Sequence, residues 1–80
     1  MSDKRQKAIE ALERGIKHLE KAFLEFESDH GGTDEAKEAR YHRRSMMVTF
    51  EKLQSGEATI ADVQLVRARC ESFVKRLIGI

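Results

Sequence analysis

The chain has 80 residues, a formal net charge of +1, no proline and 6 % aromatic residues. This length allows one domain with a small core, and the composition excludes a β-sandwich or a barrel, which needs turn residues about every ten positions. No apolar run approaches the roughly 18 residues that cross a bilayer, so we expect no membrane partner. The charged start and the single cysteine, Cys70, predict a cytoplasmic protein without disulfide bonds.

The first predicted helix covers about residues 3–28. Its large apolar residues recur at alternating steps of three and four, which is the heptad pattern of helices that pack side by side. The positions on this apolar seam are Ile9, Leu12, Ile16, Leu19, Phe23 and Phe26. The helix ends at the sequence DHGGT, where Gly31 or Gly32 can adopt the left-handed conformation and Thr33 can cap the next helix.

Two further helices are predicted over about residues 34–54 and 60–78. The third begins at Thr59, which together with Asp62 resembles a capping box. The seam positions are Ala36, Ala39, Arg43, Met46, Phe50 and Leu53 in the second helix, and Val63, Val66, Cys70, Phe73, Leu77 and Ile80 in the third. Loops of about five residues join antiparallel neighbours, so we predict an all-α, antiparallel three-helix bundle that runs up, down and up over residues 1–80.

One flank of the first helix is a row of small residues, Ala8, Gly15 and Ala22, at sevenfold spacing. Glycine inside a helix costs about 1 kcal/mol relative to alanine, so the row predicts that another helix approaches closely there. We interpret the row as a contact with the third helix. A contact between two copies of the chain is the alternative.

Residues 38–47 read EARYHRRSMM, a basic stretch in an otherwise balanced chain. If the first two helices form a hairpin about Gly31 and Gly32, Arg43 faces Glu20, and the stretch meets the acidic end of the first helix. Such pairs contribute about 0 to 1 kcal/mol each when exposed, but they favour the antiparallel register. Internal charge pairing is our preferred interpretation of the stretch.

Binding of a nucleic acid or a nucleotide is the alternative interpretation of the same cations. Arginine suits phosphate, and Tyr41 could stack on a base. His42 and Arg44 are expected to point away from the seam. The candidate phosphate-binding residues are Arg40, His42, Arg44, Arg67, Arg69, Lys75 and Arg76. The net charge of +1 argues against a dedicated nucleic-acid domain, which carries a stronger positive excess.

Four large apolar residues lie at the edge of the predicted seams or away from them. They are Tyr41, Val48, Leu65 and Ile78. Exposed apolar residues that form a contiguous patch mark a site for a partner. We therefore predict that these residues contact another protein or a second copy of the chain, which makes a homodimer the expected state.

No residue pattern predicts catalysis, a cofactor or a metal. His18, His30, His42 and Cys70 lack the spacing of zinc ligands, and the carboxylates lie along solvated helix faces. Cys70 on the third seam is expected to be a buried, inert thiol. The predicted function is a small non-enzymatic protein-interaction or regulatory module, and a short helical chain of this kind is typical of small regulatory or assembly proteins of bacteria and phages.

Overall fold

A computed structural model describes residues 2–78, and three helices make up this part of the chain. They are α1 (Ser2–Asp29), α2 (Asp34–Gln54) and α3 (Ile60–Leu77). The predicted all-α class and three-helix bundle are confirmed. α3 ends one residue before the predicted limit because Ile78 is its C-cap. The predicted seam position Ile80 lies outside the described residues.

Both interhelical loops turn on a glycine with positive φ, Gly32 at +90° and Gly56 at +86°. Each loop ends in a threonine that is the N-cap of the next helix. The hydroxyl of Thr33 accepts the backbone N–H three residues on at 3.1 Å. Thr59 and Asp62 form a reciprocal box, with N–H to side-chain oxygen distances of 2.9 and 3.1 Å. Aspartate thus closes the capping box that the sequence suggested, in place of the more usual glutamate.

The predicted seams meet in a single core. Every fully enclosed member of this cluster is a predicted seam residue: Leu12, Ile16, Phe23, Ala39, Met46, Phe50, Leu53, Val63, Cys70 and Phe73. Phe23 and Phe73 join α1 to α3 edge to face, with ring centroids 6.0 Å apart. Met47 and Ile60 pack against the edge of the core although neither occupies a predicted seam position. The heptad pattern therefore identifies the core and omits part of its rim.

α2 is the central helix of the bundle. The backbones of α1 and α3 both come close to α2 but approach each other much less closely. α1 has 28 residues, and at 1.5 Å per residue it is about 42 Å long, close to the 45 Å long dimension of the molecule. Residues 3–8 are all exposed, because the shorter partner helices do not cover them.

The row of small residues on α1 faces α3, as predicted, but the two backbones do not approach each other closely there. Ala8 and Ala22 are exposed. Gly15 is covered by the guanidinium of Arg67, and a Cβ at Gly15 would lie 3.1 Å from Arg67 Cζ. A long side chain from α3 therefore occupies the space beside Gly15 that a closely packed helix backbone would fill.

Candidate interaction surfaces

The four apolar residues predicted for the surface are exposed. The exposed fraction is 69 % for Tyr41, 65 % for Ile78, 54 % for Leu65 and 49 % for Val48. They do not form one stripe. Tyr41 and Val48 share a depression on α2, Ile78 lines a groove between α1 and α3, and Leu65 lines neither of these. The structure therefore offers two separate apolar surfaces.

Leu24 is a further exposed apolar residue that the sequence analysis missed. It follows the buried Phe23 directly, and the seam has no position for it. The signal that could have identified it is a large apolar residue next to a seam position on an otherwise charged flank.

The first surface, here called the basic-apolar face of α2, is a shallow depression of about 410 Å³. It is lined by Lys37, Arg40, Tyr41, Arg44, Ser45 and Val48. Lys37 and Arg44 are exposed and form no ion pair with other residues in the range 2–78. Arg40 Nε lies 3.7 Å from Glu27 Oε1, which is a weak contact for a guanidinium. This face thus combines apolar side chains with cations that have few partners inside the molecule.

The second surface, here called the α1–α3 groove, has a volume of about 270 Å³ and is lined by apolar side chains. The lining residues are Ala22, Phe23, Phe26, Val74, Leu77 and Ile78. Glu25 on α1 and Lys75 on α3 are exposed and of opposite charge, and neither forms an ion pair inside the described chain. The groove exists because α1 and α3 are the two helices whose backbones stay apart.

The hairpin register predicted that Arg43 pairs with Glu20, but Arg43 pairs with Glu27 instead. Arg43 Nε lies 2.7 Å from Glu27 Oε2, and Nη2 lies 3.2 Å from Oε1, so the contact is bidentate. Side chains lean toward the N-terminus of their own helix, so Arg43 leans toward the loop and Glu27 leans away from it. The two leans together make up for the two helical turns between Glu20 and Glu27. The hydrogen bonds from Arg43 hold the pKa of Glu27 below its ordinary value, against the opposing effect of burial.

His42 does not point away from the seam, and that prediction is wrong. Its ring is largely buried against Phe73, at a centroid distance of 5.0 Å, because α3 packs on this side of α2. Glu38 Oε2 lies 3.5 Å from His42 Nε2 and 2.8 Å from Arg76 Nη2. Arg76 also covers the ring of Phe73. His42 is therefore held inside the bundle, whereas Arg76 pairs with Glu38 at the surface, where its side chain stays exposed.

Arg67 lies on the side of α3 that faces α1, away from the basic-apolar face. Its Nε is 3.2 Å from Glu71 Oε1, but this buried donor forms no hydrogen bond within residues 2–78. The phosphate candidates that form no ion pair within residues 2–78 are Arg44, Arg69 and Lys75. The seven candidates thus do not converge on one face.

Cys70 lies inside the core, as predicted. It is 1 % exposed, and its thiol lies 3.4 Å from the backbone oxygen of His42. Burial raises the pKa of the Cys70 thiol to about 11, with a further contribution from Glu71. The thiol is therefore protonated at neutral pH and lacks the thiolate that nucleophilic chemistry requires.

The sequence matches no protein-family model, no curated protein and no solved structure. None of the helices within residues 2–78 is both long enough and apolar enough to cross a membrane. Over the same range, no three His, Cys, Asp or Glu side chains come together in a way that could hold a metal ion. A functional proposal therefore depends on the exposed faces of the helices.

Proposed function

We propose that this chain is a small non-enzymatic interaction module that binds another protein, or a second copy of itself, through exposed helix faces. The observation that carries the proposal is the grouping of exposed apolar side chains into the basic-apolar face of α2 and the α1–α3 groove. Removing apolar surface from water contributes roughly 25 cal/mol per Å², so covering either surface favours association. A regulatory role and a cytoplasmic location stay predictions from the sequence.

The α1–α3 groove is the surface that we propose for self-association. Its lining side chains are all apolar, so a second copy that covers the groove removes mainly apolar surface from water. In a two-fold dimer the same patch meets itself, and each contact occurs twice. Glu25 of one copy can then pair with Lys75 of the other, because these exposed residues belong to the two helices that form the groove. The proposed partner is thus a second copy, in a homodimer.

Sedimentation of the purified chain over a range of concentrations tests this proposal. We expect wild type to dimerise as its concentration rises, and Ile78→Glu to remain a folded monomer, since Ile78 is an exposed C-cap residue whose loss leaves the core intact. Leu65→Glu is the matched control, because it places the same charge on an exposed apolar residue outside the groove. A wild type that stays monomeric at all concentrations, or equal disruption by both variants, would refute the proposed dimer.

Nucleic-acid or nucleotide binding is the weaker alternative. Its main support is the row of cations on the basic-apolar face. Elsewhere Arg67 and Arg76 contact carboxylates, and Arg69 and Lys75 do not line that face. A fluorescence titration with a random single-stranded oligonucleotide tests it, since affinity from phosphate contacts falls steeply with salt. Absence of binding at low salt removes this alternative.

A further inference from the structure

We propose that the basic-apolar face of α2 binds an acidic amphipathic helix of another protein. The inference depends on the proposed function, since it identifies a partner class for one of the two surfaces of an interaction module. It does not depend on the homodimer, which uses the α1–α3 groove. The two contacts can therefore be tested separately.

The apolar part of the face has the spacing of a helical partner. Tyr41 and Val48 are seven residues apart, which is about 10.5 Å along the helix axis and two helical turns. A second helix lying along α2 presents its own apolar residues at the same interval. Both side chains are about half exposed or more, so the surface that such a helix would cover is now in contact with water.

The cations of the face favour a partner with negative charge. Lys37, Arg40 and Arg44 follow one another at steps of three and four, so they form a row beside the apolar residues. Arg40 is the weaker of the two contacts of Glu27, which Arg43 already holds through two hydrogen bonds. All three cations can thus turn toward glutamates or aspartates on an incoming helix.

A second copy of the chain fits this face poorly. Antiparallel pairing of two α2 helices about Tyr41 and Val48 would bring Arg44 near Arg44 of the other copy, and Lys37 near Lys52. Like charges held together across an interface oppose association. A helix with acidic residues beside an apolar stripe replaces these repulsions with attractions, and this charge complementarity identifies the occupant.

A nucleic acid also fits the face less well than an acidic helix. The depression is predominantly apolar, and Val48 offers nothing to a phosphate or to the plane of a base. The cations number three on this face, in a chain whose net charge is +1. A nucleic-acid surface carries a stronger positive excess, whereas a short acidic helix needs only a few matched charges.

Fluorescence anisotropy with labelled synthetic peptides tests the proposal on the full chain. The first probe is a helical peptide of leucine, alanine and glutamate with leucines at heptad spacing and glutamates beside them. The second has lysine in place of every glutamate, and the third probe is a random single-stranded oligonucleotide. We expect the acidic peptide to bind at low salt, the basic peptide to bind at least tenfold more weakly, and the acidic affinity to fall as salt screens the charges.

Three variants locate the contact. Arg44→Glu and Val48→Ser should each weaken binding of the acidic peptide on the order of tenfold, since they reverse a cation and remove an apolar contact on the face. Arg69→Glu is the control, because Arg69 is an exposed cation of α3 outside the depression, and its effect should stay within about twofold. Circular dichroism verifies that each variant is folded.

Several outcomes would overturn the inference. It fails if the acidic peptide does not bind, if the basic peptide binds as tightly, or if Arg69→Glu weakens binding as much as Arg44→Glu. If the oligonucleotide binds more tightly than the acidic peptide, and Arg44→Glu abolishes that binding, the face would be assigned to nucleic acid instead. Failure of peptide binding with an intact wild-type dimer rejects this inference alone. If the acidic peptide does not bind and the wild type does not dimerise, the proposed function is rejected as well.

Discussion

Arg43 is a charged residue on an apolar seam, so its contribution to stability depends on Glu27. Replacing Glu27 with glutamine removes the negative charge and leaves a largely buried guanidinium without its counter-ion. We expect Glu27→Gln to lower the free energy of unfolding by about 1 to 3 kcal/mol in urea titrations at neutral pH. Glu20→Gln is the control and should change it by less than about 0.5 kcal/mol. Equal effects of the two substitutions would contradict the observed pairing.

The same ion pair predicts how stability depends on pH. The pKa of Glu27 is lower in the folded chain than its ordinary value, so the unfolded chain binds its proton first as pH falls. The stabilisation is therefore fully present above the unfolded pKa and is lost as pH decreases through the folded pKa. The difference in unfolding free energy between wild type and Glu27→Gln should shrink below about pH 4.5. A difference that stays constant down to about pH 2.5 would exclude this origin.

Gly15 lies inside α1, and replacing it shows whether helix propensity or packing against Arg67 has the larger effect on stability. A Cβ there would lie 3.1 to 3.3 Å from the guanidinium of Arg67, which is the far end of a flexible, partly exposed side chain. We expect Gly15→Ala to raise the free energy of unfolding by about 0.5 to 1 kcal/mol, because alanine is the better helix former. Thermal or urea unfolding measures the change. Destabilisation would mean that the position of Arg67 is more rigid than its exposure indicates.

At the level of the helices, the start of α3 depends on a local hydrogen-bond pair. Thr59 and Asp62 each accept the backbone N–H of the other. We expect Thr59→Ala and Asp62→Ala to cost about 1 kcal/mol each. The double variant should cost less than the sum, because each single substitution already breaks the reciprocal arrangement. Strictly additive effects in a double-mutant cycle of urea titrations would show that the two caps act independently.

The periodicity of each helix could be read from the sequence because it depends on one helix at a time. The seam residues from Leu12 to Phe73 lie in the core because a helix repeats every 3.6 residues whatever its neighbours do. Exposure of Tyr41 and Val48 follows from the same argument, since both lie opposite the α2 seam.

Contacts between helices were less predictable, because they depend on side-chain direction and on how far each pair of backbones stays apart. The hairpin register pairs Arg43 with Glu20, but the opposite leans of the Arg43 and Glu27 side chains bring those two together. His42 lies beside the seam of α2, and it is buried because α3 packs against that side of α2. The division of the exposed apolar residues into two surfaces likewise depends on the separation of α1 from α3, which no spacing in the sequence encodes.

On the scale of the whole molecule, the three-helix bundle leaves apolar side chains uncovered between two of its helices. α2 has a helix on each side, whereas α1 and α3 share a groove with an apolar lining. In the proposed two-fold dimer the same groove of a second copy covers it and buries Ile78 and Phe26. Burial of apolar surface in a dimer adds proportionally more stability to an 80-residue chain than to a larger one, because the core of the small chain is small.

The measurement that tests this account most directly is an NMR dilution series on the uniformly labelled wild-type chain. Backbone amide shifts are followed from high to low concentration, so that residues at a self-association contact are identified one by one. The account predicts concentration-dependent shifts at Ala22, Phe26, Val74 and Ile78, with the amides of Tyr41 and Val48 unchanged. Shifts that do not depend on concentration, or shifts confined to the α2 face, would contradict it.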